Sequence, residues 1–331
     1  MIAITSLLIA VSVLVFALLL DLIFGDPSPN YPWRIQFRLH PTVWMGKLTK
    51  LLEPYFKNSN PKIEKIGGVF LALTVIIAFT LPVYFGLKLV STYLHVLVYV
   101  LVAAVILKLT ICMKLETDWG IAAAEAIASG DLNEARKYAH FSRRDNKDLT
   151  GPQIVSSVIE SLAENLTDFR LSPIFYYGFF GVPGAVAFRV VNTLDGMVGF
   201  KDPEHLHIGW FSAVSDTIVN YIPARLTTIL IILASAILGE DYKSAWTIAC
   251  RDQTKIPSIN HGWQMASMAG ALRVQLEKPG QYAVGDQIEE LDANKILRAL
   301  RIRNVAIILA LLFMLPVLLL TSLYLFPLLG Y

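Results

Sequence analysis

Glu160, Glu164 and Asp168 recur at every fourth position of "ESLAENLTDF", with Asn165 beside them. On a helix this spacing stacks the three carboxylates on one stripe. Like charges so placed repel by roughly 0.2–0.5 kcal/mol per pair on an exposed surface, and by more where water is scarce. A basic side chain, a metal ion or a metal-bound phosphate must neutralise them. In the metal reading, oxygens of Glu160, Glu164, Asp168 and Asp195 hold Mg²⁺, a hard cation that takes oxygen ligands and brings phosphates with it. The alternative is a salt-bridge network in which Arg143 or Arg144 pairs with Glu160 or Glu164.

Other polar residues gather in three more places: "FRVVNTLDGMVGFKDPEHLHIGW" with Arg189, Asn192, Asp195, Lys201, His205 and His207, "SDTIVNYIPAR" with Asp216, Asn220 and Arg225, and "CRDQTKIPSINHGW" with Arg251, Asp252, Lys255, Ser258, Asn260 and His261. Arg144, Arg189, Arg225 and Arg251 suit phosphate or carboxylate oxygens, which the planar guanidinium fork matches. Plainer readings exist for several of these residues. Asn192 and Asp195 can end a helix ahead of Gly196 and Gly199, Pro257 to Asn260 can form a turn and N-cap before a helix over 262–273, and His205 and His207 read as loop residues. No GxxxxGK[ST] or GxGxxG loop occurs, so no standard nucleotide-binding fold is signalled. No GxSxG surrounds Ser258, which argues against a serine nucleophile. Asp195-Gly196 opens the DGxxAR pattern of CDP-alcohol phosphotransferases, but Gly199-Phe200 stand where that pattern needs Ala-Arg.

The elements that must position these residues are set by an apolar composition. Of 331 residues, 55 % are hydrophobic and only 16 % charged, and the mean hydropathy is +0.56. Charge is well under the roughly 25 % of a soluble protein, so the chain reads as an integral membrane protein. The net charge of +2 offers nothing to nucleic acid. Cys112 and Cys250 belong to no metal-binding spacing and read as buried thiols. Apolar runs at the N-terminus and at about 67–87, 93–112 and 304–329 are each long enough to cross a hydrocarbon core of ~30 Å. The first lacks an early Lys or Arg and an A-x-A site, and reads as a retained span rather than a signal peptide. The runs 172–191 and 212–239 are broken by proline, glycine and polar residues, and read as buried or re-entrant helices or as short spans packed in a bundle, the non-crossing version being favoured.

The expected fold is therefore an all-α polytopic helical bundle, a single membrane domain over 1–331 with four secure spans, broken helices and helical loops. Lys and Arg concentrate in 25–66, 113–170 and 240–303, which places those loops in the cytoplasm and the N-terminus outside. The segments 113–170 and 240–303 are expected to contribute to the site, and both read as helical rather than β. Within 118–139 an alanine-rich helix is expected up to Gly130, followed by a second helix capped by Asp131. A faint echo, Arg144-Asp145 before "ESLAEN" and Arg251-Asp252 before "ASMAGA" at one spacing, hints at an internal repeat and goes no further than coincidence would.

The blocks "LLDLIFGDP", "HPTVWMGKL", "ESLAENLTD", "FRVVNTLDGMVGFKD", "GWFSAVSDTIVNYIPARLT", "RDQTKIPSINHGWQMASMAGAL" and "QYAVGD" stand in one order over about residues 18–286. Weak singly, in that order they make the chain resemble the membrane-bound adenosylcobinamide-phosphate synthases of cobalamin biosynthesis, the CbiB/CobD family. The resemblance implies a ligase that forms a carbon–nitrogen bond. It would join a carboxylate of adenosylcobyric acid to the amine of (R)-1-aminopropan-2-ol or its O-phosphate, with ATP as co-substrate and Mg²⁺. On residue chemistry, Glu160, Glu164, Asp168 and Asp195 would serve the cation or base catalysis. Arg144, Asn165, Asn192, Asp216, Arg225, Arg251, Asp252, Ser258 and Asn260 would bind substrate or phosphate. Other corrinoid-pathway enzymes are candidate docking partners on the cytoplasmic loops.

The chain departs from the family pattern at several points. Phe169 follows Asp168 where glycine is expected, Gly196 stands where serine is common, Thr217 stands where a second aspartate is common, and His261 stands where alanine is common. A non-catalytic corrinoid-pathway sensor or carrier is the other class of reading, and it predicts loss of the acidic and Arg-Asp blocks that are present here. A transporter would need a stronger internal repeat than the echo supplies.

Overall fold

A computed structural model describes residues 2–139 and 147–324. Arg143 and Arg144 lie outside the described residues. Helices α1 (Ile2–Phe24), α4 (Pro61–Tyr93) and α14 (Ala293–Tyr324) form where long apolar runs must hydrogen-bond their own backbone. Between them come α2 (Ile35–Leu39), α3 (Pro41–Phe56), α5 (Val96–Lys108), α6 (Lys114–Ala128), α7 (Leu132–Arg136), α8 (Gly151–Leu166), α9 (Ser172–Val198), α10 (Trp210–Val219), α11 (Tyr221–Leu238), α12 (Tyr242–Asp252) and α13 (His261–Leu272). Among the described residues, five helical stretches are long and apolar enough to cross a membrane: Thr5–Phe24, Pro61–Tyr93, Gly151–Val198, Tyr221–Leu238 and Ala293–Leu323. This is an all-α, multi-pass membrane protein.

Several expectations change in detail. The run 93–112 yields only α5, whose 13 residues reach about 20 Å at 1.5 Å per residue, short of a ~30 Å core. The runs 172–191 and 212–239, expected not to cross, instead lie in helices with the length and hydropathy to do so. The segment 240–303 is not purely helical: β1 (Gln275–Lys278) and β2 (Tyr282–Gly285) pair antiparallel around a Pro279-Gly280 turn. The Gln281 N–H donates to the Lys278 carbonyl across that turn and Gly280 takes φ +73°, the proline-then-glycine geometry of a type II turn. Neither cysteine is in a disulfide, and Cys250 is exposed and Cys112 half-buried rather than both being buried. Cys250 follows the fully buried Ala249 on α12, and that one-residue step turns it outward. The Asp131 cap of α7 forms as expected, accepting from the Glu134 N–H at 2.9 Å.

The chain divides into two compact units, Met1–Lys114 with Ser172–Val219 and Phe313–Tyr331, and Leu115–Leu171 with Asn220–Leu312. In the first unit α1 packs on α5, and α9 packs on α3, α4 and α10. Ala10, Val13, Leu14 and Ala17 of α1 are buried, as are Ala103, Ala104 and Leu107 of α5; small residues let membrane helices approach closely. Gly68 of α4 touches the backbone of Ile208, where a Cβ would collide with the carbonyl oxygen. Within α9, Gly181 adopts φ 64° and ψ −162°, two residues before Pro183, so the helix is broken as its sequence suggests. A cavity of about 370 Å³ opens there, lined by Ser6, Tyr99, Tyr177 and Gly181 among others. In the second unit α12 and α13 pack as a pair, with Gly270 against the Ser244 backbone. From Gln264 to Leu272, α13 is buried all round, and α8 and α11 lie against it.

Candidate active site

In the second unit the acidic stripe is built as a helix, but its members meet different partners. Pro152 starts α8, and the Thr150 N–H donates to the Gln153 side chain at 3.0 Å. After Leu166 the backbone widens into a π-helical turn, Thr167–Leu171, which carries Asp168. Such turns recur at functional sites. Glu160 is buried and accepts from the Ser156 hydroxyl at 2.7 Å and from the Tyr282 hydroxyl of β2 at 2.7 Å.

Glu164 and Asp168 converge instead on His261, the first residue of α13. The imidazole Nδ1 lies 3.3 Å from Glu164 Oε1 and Nε2 lies 3.5 Å from Asp168 Oδ2. One donor atom from each of the three residues can be chosen within 4.8 Å of the others, a grouping that fits a divalent cation. Of the three carboxylates on the stripe, the structure therefore brings two together and adds a histidine.

Around this group stand Arg225, Asn260 and Ser258. The Ser258 hydroxyl accepts from the His261 N–H at 3.2 Å, as a turn ahead of a helix would have it. Asn260 is buried, and its Oδ1 accepts from Arg225 Nη1 at 2.6 Å. The Arg225 guanidinium lies 3.7 Å from the Tyr221 ring centroid and 5.7 Å from that of Trp263, so its position is fixed by cation–π contacts and hydrogen bonds together.

Asn165 faces a different network, donating to Glu116 at 2.7 Å. Glu116 also pairs with Arg170 and Arg303, and all three charged side chains are almost fully buried. One carboxylate thus serves two guanidiniums. Sequence reasoning missed this triad, and it grouped His261 with the polar residues of its segment without giving it a role. Arg303, at the edge of the last apolar run, was the available signal, since ionisable groups in such places are seldom idle.

Arg251 and Asp252 form a strut. Arg251 binds both Asp252 and Asp286, while Asp252 also pairs with Lys255 and accepts the Gly285 N–H at 2.8 Å. Burial alone would raise the Asp252 pKa, but Arg251, Lys255 and that N–H hold it well below the ordinary carboxylate range.

In the first unit, Arg189, Asn192 and Asp216 form a chain. Arg189 Nη1 donates to Asn192 at 3.1 Å, and Asn192 Nδ2 donates to Asp216 at 3.3 Å. Asp195 sits in the last turn of α9 with its carboxylate beside Gly199, whose N–H donates to the Asp195 carbonyl at 2.9 Å. That contact matches the helix-ending reading. A second polar group joins Asp21, Asp26, His40 and Lys108: Lys108 pairs with both aspartates, and His40 Nε2 lies 3.6 Å from Asp26. Burial works to raise the Asp26 pKa, yet His40 and Lys108 bring it below its ordinary value.

The sequence pattern of the family described as CobD/Cbib protein matches residues 14–318. The chain is similar to a probable cobalamin biosynthesis protein CobD of Methanothermobacter thermautotrophicus, 38 % identical over 90 % of this chain and 95 % of that one. It is also similar to the counterpart from Thermoplasma acidophilum, 36 % identical over 89 % and 93 % of the two chains. A cobalamin biosynthesis protein CobD of Dehalococcoides mccartyi is 34 % identical over 84 % and 88 %. No solved structure matches.

Proposed function

Because the chain belongs to the CobD/CbiB family of cobalamin biosynthesis proteins, we propose that it is the ligase that joins adenosylcobyric acid to (R)-1-aminopropan-2-ol or its O-phosphate. The observation that carries this reading is the convergence of Glu164 and Asp168 on His261, with Arg225 held nearby through Asn260. A carboxylate is a poor electrophile. Transfer of the terminal phosphoryl group of ATP to it gives an acyl phosphate and ADP; attack by the amine then forms the amide and releases phosphate, with one proton passing to a base. A divalent cation on Glu164, Asp168 and His261 would neutralise phosphate charge. Arg225, which donates to Asn260 and to the Tyr221 and Ile259 carbonyls, supplies a fork for substrate or phosphate oxygens. The site is proposed to lie on the cytoplasmic face, where the basic segments 113–170 and 240–303 are expected.

The test uses detergent-solubilised protein with adenosylcobyric acid, Mg²⁺-ATP and either amine, following the corrin mass. Gain of one amine, less water, supports amide synthesis and identifies the co-substrate. A folded, corrin-binding sample that makes no product with either amine overturns the reading in favour of a carrier.

A further inference from the structure

The donor set in the second unit is not the all-oxygen stripe that the sequence offers to Mg²⁺. Glu160 directs both carboxylate oxygens to Ser156 and Tyr282, and the third donor near Glu164 and Asp168 is an imidazole nitrogen of His261. The separations of 3.3 Å and 3.5 Å are long for a charge-assisted hydrogen bond, which prefers about 2.7–2.9 Å. They are close to the ~3.4 Å between two ligands on a tetrahedral ion with bonds of about 2.1 Å. Only one ring nitrogen can ligate a given ion, so one of the two separations would be the distance between ligands and the other would be the outer-sphere pairing that metal-bound histidines use.

A second observation points the same way. Gln264 stands one helical turn after His261 on α13 and so shares its side of the helix. It is fully buried, and neither its amide oxygen nor its amide nitrogen has a partner among the described residues. A buried amide left so is costly, and a water bound to an ion beside His261 can satisfy it.

We infer that Glu164, Asp168 and His261 form a site for a divalent transition ion of the Mn²⁺ to Zn²⁺ series in preference to Mg²⁺. Mg²⁺ favours octahedral oxygen ligands and keeps its waters, whereas imidazole nitrogen favours the later ions. The inference rests on the acidic pair being the cation site of the proposed amide synthesis, and it names the class of that cation.

The experiment titrates the full-length, detergent-solubilised protein with Mn²⁺, reading free ion by electron paramagnetic resonance, and then competes with Mg²⁺. Wild type should hold one Mn²⁺ that Mg²⁺ displaces only at about tenfold or greater excess, and His261→Ala and His261→Gln should bring the two ions within about threefold of each other. Circular dichroism and thermal unfolding of the metal-free variants establish that they are folded. An Mn²⁺ to Mg²⁺ ratio unchanged in both variants, or no Mn²⁺ binding by wild type, overturns the inference. Product formation is read separately: a wild type that makes amide without preferring Mn²⁺ loses the ion class but keeps the reaction, and one that prefers Mn²⁺ without making amide does the reverse.

Discussion

Glu160 and Glu164 differ by one helical turn and by everything that surrounds them. Glu160 is closed off by two hydroxyl donors, while Glu164 is part-exposed beside His261. Glu164→Gln keeps the shape and removes the charge, so turnover should fall by about 10²–10⁴ with thermal unfolding little changed. Turnover within a few-fold of wild type would sink the assignment. Asp252 makes a prediction about stability instead. Its folded pKa lies below the unfolded value, so its contribution is complete above the unfolded pKa of about 3.9 and is lost as pH falls toward the folded one. Asp252→Asn should therefore lower the unfolding temperature at pH 7 and flatten the acid limb below about pH 4. An acid limb identical to wild type would remove Asp252 from the account. The stripe itself was legible because helical periodicity is local. His261 was not, because it reaches Glu164 and Asp168 only through the packing of α13 on α8, about a hundred residues apart in sequence, and nothing in "SINHGW" announces that contact. Arg251 looked like a phosphate ligand for a related reason: pattern shows a guanidinium but not that Asp286, on the far side of a hairpin, already holds it.

At the scale of elements, the break in α9 and the hairpin show what local chemistry does and does not disclose. Pro183 and its glycines marked a broken helix correctly, since proline lacks an N–H and clashes one turn back. Pro279-Gly280 carried an equally local turn signal, but the strands on either side have four residues each, too few for an alternation to stand out. The π-helical turn at Thr167–Leu171 has no sequence mark at all. The conformation of Gly181 is open to test. Its φ of 64° and ψ of −162° lie where only glycine is comfortable, so Gly181→Val should destabilise the protein by about 1–3 kcal/mol. Chemical denaturation would measure this, and an unchanged midpoint would show that the break does not need glycine.

For the whole molecule, hydropathy gave membrane class and most of the long helices, but only part of the division into two units. They interleave along the chain, with 115–171 and 220–312 in one and the segments before, between and after in the other; the shift to polar sequence at about 113 and back at 172 marks two of the boundaries, whereas those at 219/220 and 312/313 fall inside apolar runs. The proposed cytoplasmic placement of the long basic loops has a direct consequence for Cys250, which is exposed on α12. With Cys112 replaced by alanine, a membrane-impermeant maleimide should label Cys250 in inside-out vesicles and not in right-side-out ones. The reverse pattern would invert the orientation. Keeping the loops 25–66 and 113–170 on one face requires the short helix α5 to cross together with α4, which has a different consequence. Leu97, Leu101 and Val105 form an exposed apolar stripe along it, and a stripe limited to about 20 Å offers too little oil-like surface for a hydrocarbon layer of ~30 Å. A bilayer that α5 crosses would thin beside it, at fractions of a kcal/mol for each ångström of mismatch. Bilayer thickness is thereby written into the protein's energetics: short-chain lipids relieve that elastic strain and long-chain, sterol-like membranes increase it.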